Sequence, residues 1–293
     1  MEEKPGSYRG RPSEMENAAG KQLIRRELLD GIVSFFRWCL FRVLSFGPMP
    51  RHIAFILDGN RRYGRKHRLG EGEAHWVGFV AFLDILKYCH EMGIRYVSAY
   101  AFSIDNFHRR PEEVRVVLDL VHHCLERMLR EPSFVDALGL RVEFFGDMGL
   151  LPGPLGDTVR RAVAATARND RLVLMVCLAY TSTNEVARAV QGACRERWAG
   201  GRDPGRRQGD ETITLGDLER HVFYWGIPDP DILIRTAGET RLSNFLLWQT
   251  TFCVLYAPEC LWPEISLWHL VWGVLRYQRA YPFLEKKKSH ISV

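Results

Sequence analysis

The sequence predicts an α/β fold with a central parallel sheet flanked by helices. Two observations predict it. Short apolar runs of strand length alternate with longer stretches of helical periodicity from about residue 50 to 280. Several of those runs, such as LVLMVCLAY, are apolar throughout, as strands buried on both faces are. The 293 residues, 46% of them hydrophobic, are ample for one large domain or two small ones.

Taken in order, residues 1–21 are polar and mixed in charge and read as a disordered tail. They have no apolar core of a secretory signal, and Glu2, Glu3, Glu14 and Glu16 argue against a transit peptide. Residues 22–47 differ: Leu28, Leu29, Ile32, Phe36, Cys39, Leu40 and Val43 recur at helical spacing. Asp30, Arg37 and Arg42 interrupt the run, which falls short of the ~20 apolar residues of a bilayer span. It reads as an amphipathic helix lying in a membrane interface, anchored by Phe35, Phe36 and Trp38; a helix packed on the protein's own core is the other reading.

Pro48 and Pro50 open the main domain, 48–285. Strands are expected at 52–58, 96–102, 140–147, 172–180, 231–237 and 253–258. Helices are expected near 73–91, 111–130, 154–168, 183–198 and 215–224, with a last one at 265–281. The Gly-rich, charged segment 199–211 reads as a surface loop or disordered insert. The seven cysteines show neither C-x-x-C nor zinc-ligand spacing and read as reduced thiols of a cytosol-facing protein. A net charge of +5 suits anionic ligands or a headgroup surface, but many ordinary domains share it. No nucleic-acid partner is expected.

Chemistry concentrates at three strand ends, where open parallel sheets place ligands. The first is DGNRRYGRK (58–66). Asp58 suits a hard cation, and Gly59 lets a phosphate approach the backbone. Asn60, Arg61 and Arg62 present donors. The second, FSIDNFHRRP (102–111), offers Ser103, Asp105, Asn106 and Arg109 around Phe107, although such residues also make turns and caps. The third is IRTAGETRLSNFLLWQ (234–249), where Arg235 and Arg241 with Ser243 form a second candidate phosphate clamp. A structural ion pair between Arg235 and Glu239 is the alternative. Together these sites could hold two diphosphates, with apolar runs walling a hydrocarbon tunnel; periodicity does not separate a tunnel from an ordinary core. His75, in the next helix, has no role that its position alone assigns. No G-x-x-x-x-G-K-[ST] and no dinucleotide fingerprint is present, which argues against a P-loop or nucleotide-binding enzyme.

HIAFILDGNRRY, AYAFSIDNFHR, DILIRTAGETRLSNFLLWQ and LWPE occur in this order over roughly residues 48–280. In these motifs the chain resembles the cis-prenyltransferases, the family of undecaprenyl and dehydrodolichyl diphosphate synthases, and plant members in particular. The resemblance implies a single domain with an elongated hydrophobic tunnel. It also implies condensation of isopentenyl diphosphate onto an allylic diphosphate to give a long Z-polyprenyl diphosphate. On it, Asp58 matches the Mg²⁺-coordinating aspartate. Gly59, Asn60, Arg61, Arg62 and Arg109 match the loop and arginine that hold the allylic diphosphate, Arg235, Arg241 and Ser243 match the isopentenyl diphosphate site, and Tyr63, Asp105 and Phe107 are further substrate-binding residues. His75, Ser103 and Asn106 match polar groups near the reacting carbons, with Asn106 or Asp58 assisting proton removal.

Two departures stand out. Glu71 and Val254 occupy positions where bacterial members carry an arginine and a metal-associated glutamate; Arg68 is a candidate to compensate for the first. The tail RYQRAYPFLEKKKSHISV lacks the R-x-G motif of homodimeric members. The resemblance therefore implies a Nogo-B-receptor-type partner subunit supplying R-x-G. The apolar stripe and arginines of the N-terminal helix lead us to expect a peripheral place on the cytosolic face of the endoplasmic reticulum membrane. A rubber-type polymerase and a non-catalytic subunit are the alternatives. The second is disfavoured because Asp58 and the four arginines Arg62, Arg109, Arg235 and Arg241 are all present.

Overall fold

The structure is a computed structural model that describes residues 31–199 and 212–291. The predicted tail, residues 22–30 of the N-terminal helix and nearly all of the 199–211 insert lie outside the described residues. The chain divides into two compact units, Met1–Phe46 and Gly47–Val293.

In the first unit, residues 31–44 form a helix, α1. Phe35 stacks on Trp38 with ring centroids 6.3 Å apart and meets Phe36 edge-on at 5.9 Å. Arg42 lies 5.9 Å from the centre of the Trp38 ring.

In the second unit, the described residues form one six-stranded sheet in the order β3-β4-β2-β1-β5-β6. Its strands are β1 (His52–Ile56), β2 (Tyr96–Ser103), β3 (Leu140–Phe145), β4 (Leu172–Tyr180), β5 (Ile232–Arg235) and β6 (Val254–Tyr256). Every pairing is parallel. Helices α3 (Glu71–Glu91), α4 (Pro111–Arg130), α6 (Gly153–Thr166), α7 (Ser182–Ala199) and α9 (Leu267–Ile291) connect or follow the strands.

Both sheet faces are covered, which is why the strands carry no polar alternation. One face buries Ile56, Met175 and Leu233 against Tyr224, Phe245 and Leu246. The other buries Phe102 and Leu178 against Leu118 and Leu125 of α4 and Leu155 and Val159 of α6. Pro111 opens α4 and Glu112 and Glu113 follow in its first turn, while Arg127 and Arg130 close it, matching the helix dipole at each end.

Two short helices escape a reading based on apolar periodicity. In α2 (Asn60–His67) the sequence NRRYGRKH has no apolar stripe. The short α5 (Ser133–Leu138) ends at Gly139 in the left-handed conformation. The expected helix at 215–224 is shorter, α8 (Leu215–Glu219), capped by Thr214 and Asp217. All seven cysteines are free.

The chain leaves β1 for β2 on one side, and only later does β5 pair with β1 on the other. The carboxyl ends of β1 and β5 therefore flank a topological switch point, the crevice where open α/β sheets bind ligands.

Candidate active site

Ile56 lies level with Arg235 across the β1–β5 pair, so Asp58 emerges beside the Arg235 side chain. Arg235 Nη2 donates to Asp58 Oδ2 at 2.7 Å. Arg62, one turn into α2, brings Nη2 to 3.6 Å from Asp58 Oδ1. The Asp58 backbone is fixed as well. Thr236 donates its hydroxyl to the Asp58 carbonyl at 2.6 Å and accepts the Asp58 N–H at 3.1 Å. The Trp262 N–H donates to the same carbonyl at 2.9 Å.

Gly59 turns the chain into α2 with φ 111°, and a Cβ there would sit 3.0 Å from both Leu261 Cα and Trp262 N. Asn60 packs inward: its Nδ2 donates to the Leu57 carbonyl at 3.1 Å. Its Oδ1 is buried and faces Gly78 of α3, where a Cβ would come within 2.2 Å of it. Asn60 thus anchors α2 on α3 while bordering the cavity below.

Arg235 also donates Nη1 to Ser243 Oγ at 2.7 Å within the third motif, while its bond to Asp58 joins the first and third motifs. Glu239 does not pair with Arg235, as the ion-pair alternative supposed. It pairs with Arg241 and lies 3.6 Å from Arg62. The second motif forms a 3-10 turn, Ile104–His108. Ser103 Oγ accepts the Asp105 N–H at 3.1 Å, and Asn106 Oδ1 accepts the Ser103 N–H at 3.1 Å. Ser103 and Asn106 therefore cap the turn as well as bordering the cavity. Arg109 follows the turn directly. Burial and then the neighbouring Arg61 push its guanidinium below the usual arginine range, with Glu113 and Asp58 opposing. A diphosphate would relieve that repulsion.

Below these groups opens a cavity of about 1070 Å³. At its charged end stand Asp58, Arg61, His75, Ser103, Arg109, Arg235, Arg241 and Ser243; Asn60, Asp105 and Asn106 also line it. Most of the remainder is apolar, walled by residues such as Phe79 and Leu83 of α3, Cys124 and Met128 of α4, and Phe144 and Leu174 of the sheet, with Arg127, Glu131 and Ser133 also in the lining. Its lining follows α4 from Val117 to Glu131, about 20 Å at the rise of a helix. The apolar runs thus enclose a cavity rather than only a packed core. A second cavity of about 710 Å³ forms the charged mouth, lined by Gly59, Arg62 and Arg65 together with Asp58, Arg61, His75, Arg109 and Arg241.

Two expected residues lie outside both cavity linings. Tyr63 packs against His67 with ring centroids 4.2 Å apart and the planes tilted by 34°, along α2 rather than into the mouth. Phe107 packs edge-on against Phe102 at 4.9 Å in the apolar cluster under α4. Neither touches the space a diphosphate would enter. Sequence reasoning missed Thr236 and Tyr100. Tyr100 donates its hydroxyl to the carbonyls of Tyr180 at 3.1 Å and Ser243 at 3.3 Å. Strand register places both, and no motif spacing signals it.

The undecaprenyl diphosphate synthase family model matches residues 56–282. The chain is 44% identical to a dehydrodolichyl diphosphate synthase of Solanum lycopersicum, covering 94% of this chain and 99% of that one. The chain belongs to this prenyltransferase family. A rubber cis-polyprenyltransferase of Hevea brasiliensis is also 44% identical, over 88% of this chain and 94% of its own. A human dehydrodolichyl diphosphate synthase complex subunit is 38% identical, over 89% and 76%. Among solved structures, lavandulyl diphosphate synthase of Lavandula x intermedia, in complex with dimethylallyl diphosphate, has 27% identity and a TM-score of 0.70. It covers 78% of this chain and 95% of that one.

The two departures from bacterial family members take different positions. Glu71 is the first residue of α3, and Arg68, at the left-handed end of α2, is exposed and lines neither cavity. Val254 opens the edge strand β6, level with Ile232 at the start of β5. It lines neither cavity and lies at the opposite end of its strand from the Arg235 crevice.

The family resemblance implies a resident Mg²⁺. Among the described residues no cluster of three or more His, Cys, Asp or Glu could hold a metal alone. Mg²⁺ is commonly bound through one or two carboxylates plus substrate phosphates, so a single Asp58 beside a diphosphate mouth fits. Asp58 Oδ1, with only the long Arg62 contact, is the oxygen best placed for it.

Proposed function

We propose that this chain is the catalytic subunit of a Mg²⁺-dependent cis-prenyltransferase. It adds isopentenyl diphosphate to an allylic diphosphate such as farnesyl diphosphate and delivers a long Z-polyprenyl diphosphate of the dehydrodolichyl type for dolichol synthesis. One observation carries the reading: an arginine-lined mouth around Asp58 opens directly into an apolar cavity. A diphosphate head and a hydrocarbon tail need those two environments side by side.

Arg61, Arg62 and Arg109 hold the allylic diphosphate, with Asp58 as the protein ligand of Mg²⁺. When bound, that ion neutralises the leaving diphosphate. Arg235, Arg241 and Ser243 hold the second diphosphate, and the Arg235–Asp58 contact sets the spacing between the two. Held this way, the homoallylic double bond attacks C1 of the allylic substrate as its C1–O bond breaks, and a C2 proton is lost. Asn106 or Asp58 assists the removal of that proton, and His75 and Ser103 border the reacting carbons. The allylic tail grows into the cavity along α4.

The rubber-type reading has no observation in its favour over the dolichol one. A scaffold role is disfavoured by the paired Asp58 and Arg235 and by the arginines around them. A partner subunit of the Nogo-B-receptor type, lending an R-x-G tail, is supported by an apolar face at the sheet edge. Leu247, Leu255 of β6, and Trp268 and Trp272 one turn apart on α9 are all about half exposed or more. The human relative is itself named as a complex subunit. Attachment to the cytosolic face of the endoplasmic reticulum membrane is supported by exposed Phe35, Phe36 and Trp38 of α1. Among the described residues no helix is long and apolar enough to cross a membrane.

The test is incorporation of labelled isopentenyl diphosphate into a butanol-extractable product with farnesyl diphosphate, with Mg²⁺ and with excess chelator. Product formation that Mg²⁺ restores supports the proposal. Incorporation unchanged by the chelator contradicts the metal role, and none under any condition contradicts the activity.

A further inference from the structure

Resting on the proposed function, we infer that Glu185 is a positioning residue for isopentenyl diphosphate: buried beneath the 241–249 loop, it holds Ser243 and Arg241 where Arg235 meets them. That loop has no strand or helix of its own. Ser243, Asn244 and Leu246 take φ values of 49°, 60° and 46°, in the left-handed region that non-glycine residues rarely adopt. Such backbone persists where its surroundings hold it in place.

The surroundings here are the first turn of α7. The Ser182 N–H donates to the Asn244 carbonyl at 2.8 Å, and the Leu247 N–H donates to Ser182 Oγ at 2.8 Å. Thr183 donates its N–H at 3.1 Å and its hydroxyl at 3.0 Å to Asn244 Oδ1. One residue further into α7 from Asn184, Glu185 is 1% exposed. Its carboxylate accepts the Phe223 N–H at 2.9 Å, the Gln249 amide at 3.1 and 3.2 Å and the Tyr180 hydroxyl at 2.5 Å. It thereby ties the end of β4, the 223 turn and the far end of the loop to one point.

These partners are neutral donors, and Glu185 takes part in none of the ion pairs among the described residues. Burying a carboxylate this way is costly, whereas an apolar side chain would fill the same space without that cost. What an apolar side chain could not do is fix three donors at once. Because Gln249 and Leu247 lie four to six residues from Ser243, loss of that anchor frees a loop whose strained backbone carries the second diphosphate's ligands. Arg61, Arg62 and Arg109 stand on α2 and the 104–109 turn, outside this network, so the allylic side should not feel it.

The experiment titrates isopentenyl diphosphate and, separately, farnesyl diphosphate into the full chain with Mg²⁺ by calorimetry. Glu185→Leu should weaken isopentenyl diphosphate binding at least about tenfold and leave farnesyl diphosphate within about threefold. Glu185→Gln, which keeps an acceptor for Phe223 and Gln249, should restore most of the affinity. Ser182→Ala, which deletes the bonds of its hydroxyl to the Leu247 N–H and the Tyr180 hydroxyl, should show the same selective loss more mildly, and it carries the test if Glu185→Leu is insoluble. Equal losses for both diphosphates, or none for either, overturn the positioning role while leaving the proposed function standing. Wild-type protein that binds neither diphosphate overturns both.

Discussion

Asp58 is held between Arg235 and Arg62 at the mouth of the cavity, and its removal has two consequences. The metal loses its protein ligand, and the buried Arg235 loses its ion-pair partner. Asp58→Ala is therefore expected to lower kcat at least ~100-fold, the scale of losing one electrostatic stabiliser. Steady-state turnover checks this, and near wild-type rates would refute the assignment. The two clamps should separate kinetically. Arg241→Ala should raise KM for isopentenyl diphosphate about tenfold, and Arg109→Ala should do the same for the allylic substrate, each through loss of one charge-assisted contact. Initial rates with each substrate varied in turn measure the split, and equal effects on both substrates would contradict the two-diphosphate map. The charged residues were legible because acids and arginines gather just after apolar runs. Their pairing was not: that Arg235 meets Asp58 rather than Glu239 follows from the β1–β5 register, which no local pattern contains. Tyr63 and Phe107 sit inside strong motifs yet face the neighbouring side chains His67 and Phe102.

The turn into α2 is the element on which the first clamp depends. Gly59→Ala would place a Cβ against the backbone of Leu261 and Trp262 while Gly59 holds φ at 111°. We expect a loss of roughly 1–3 kcal/mol in stability, read as a lowered denaturant midpoint, together with a fall in activity as Asp58 shifts. An unchanged midpoint would show that the turn relaxes freely. At the N-terminus, deletion of residues 1–46 should reduce partitioning onto vesicles containing anionic lipid, since Arg37 and Arg42 share α1 with Phe35, Phe36 and Trp38. Co-sedimentation measures it, and unchanged partitioning would exclude this segment as the anchor. The strands were legible from their apolar runs because both sheet faces are covered. The short helices were not, since α2 is built from charged residues and α8 is set by its Thr214–Asp217 cap more than by periodicity.

At the scale of the whole molecule, alternation of strands and helices was enough for a parallel sheet. It did not reveal that β5 returns to the far side of β1, and that crossover makes the crevice. The cavity was likewise hidden, because an apolar wall and an apolar core have the same composition; only the packing of α3 and α4 against the sheet distinguishes them. The exposed Trp268 and Trp272 beside the β6 edge point to a second subunit, so the isolated chain should turn over slowly and a partner carrying R-x-G should raise the rate. Full activity from the lone chain, unaffected by the partner, would remove the need for one. The most direct test of the account is product analysis of the chain co-purified with such a partner, supplied with farnesyl diphosphate, labelled isopentenyl diphosphate and Mg²⁺. The account predicts a polyprenyl diphosphate longer than its primer in which every newly formed double bond is Z; new double bonds that are E, or farnesyl diphosphate recovered unextended, would contradict it.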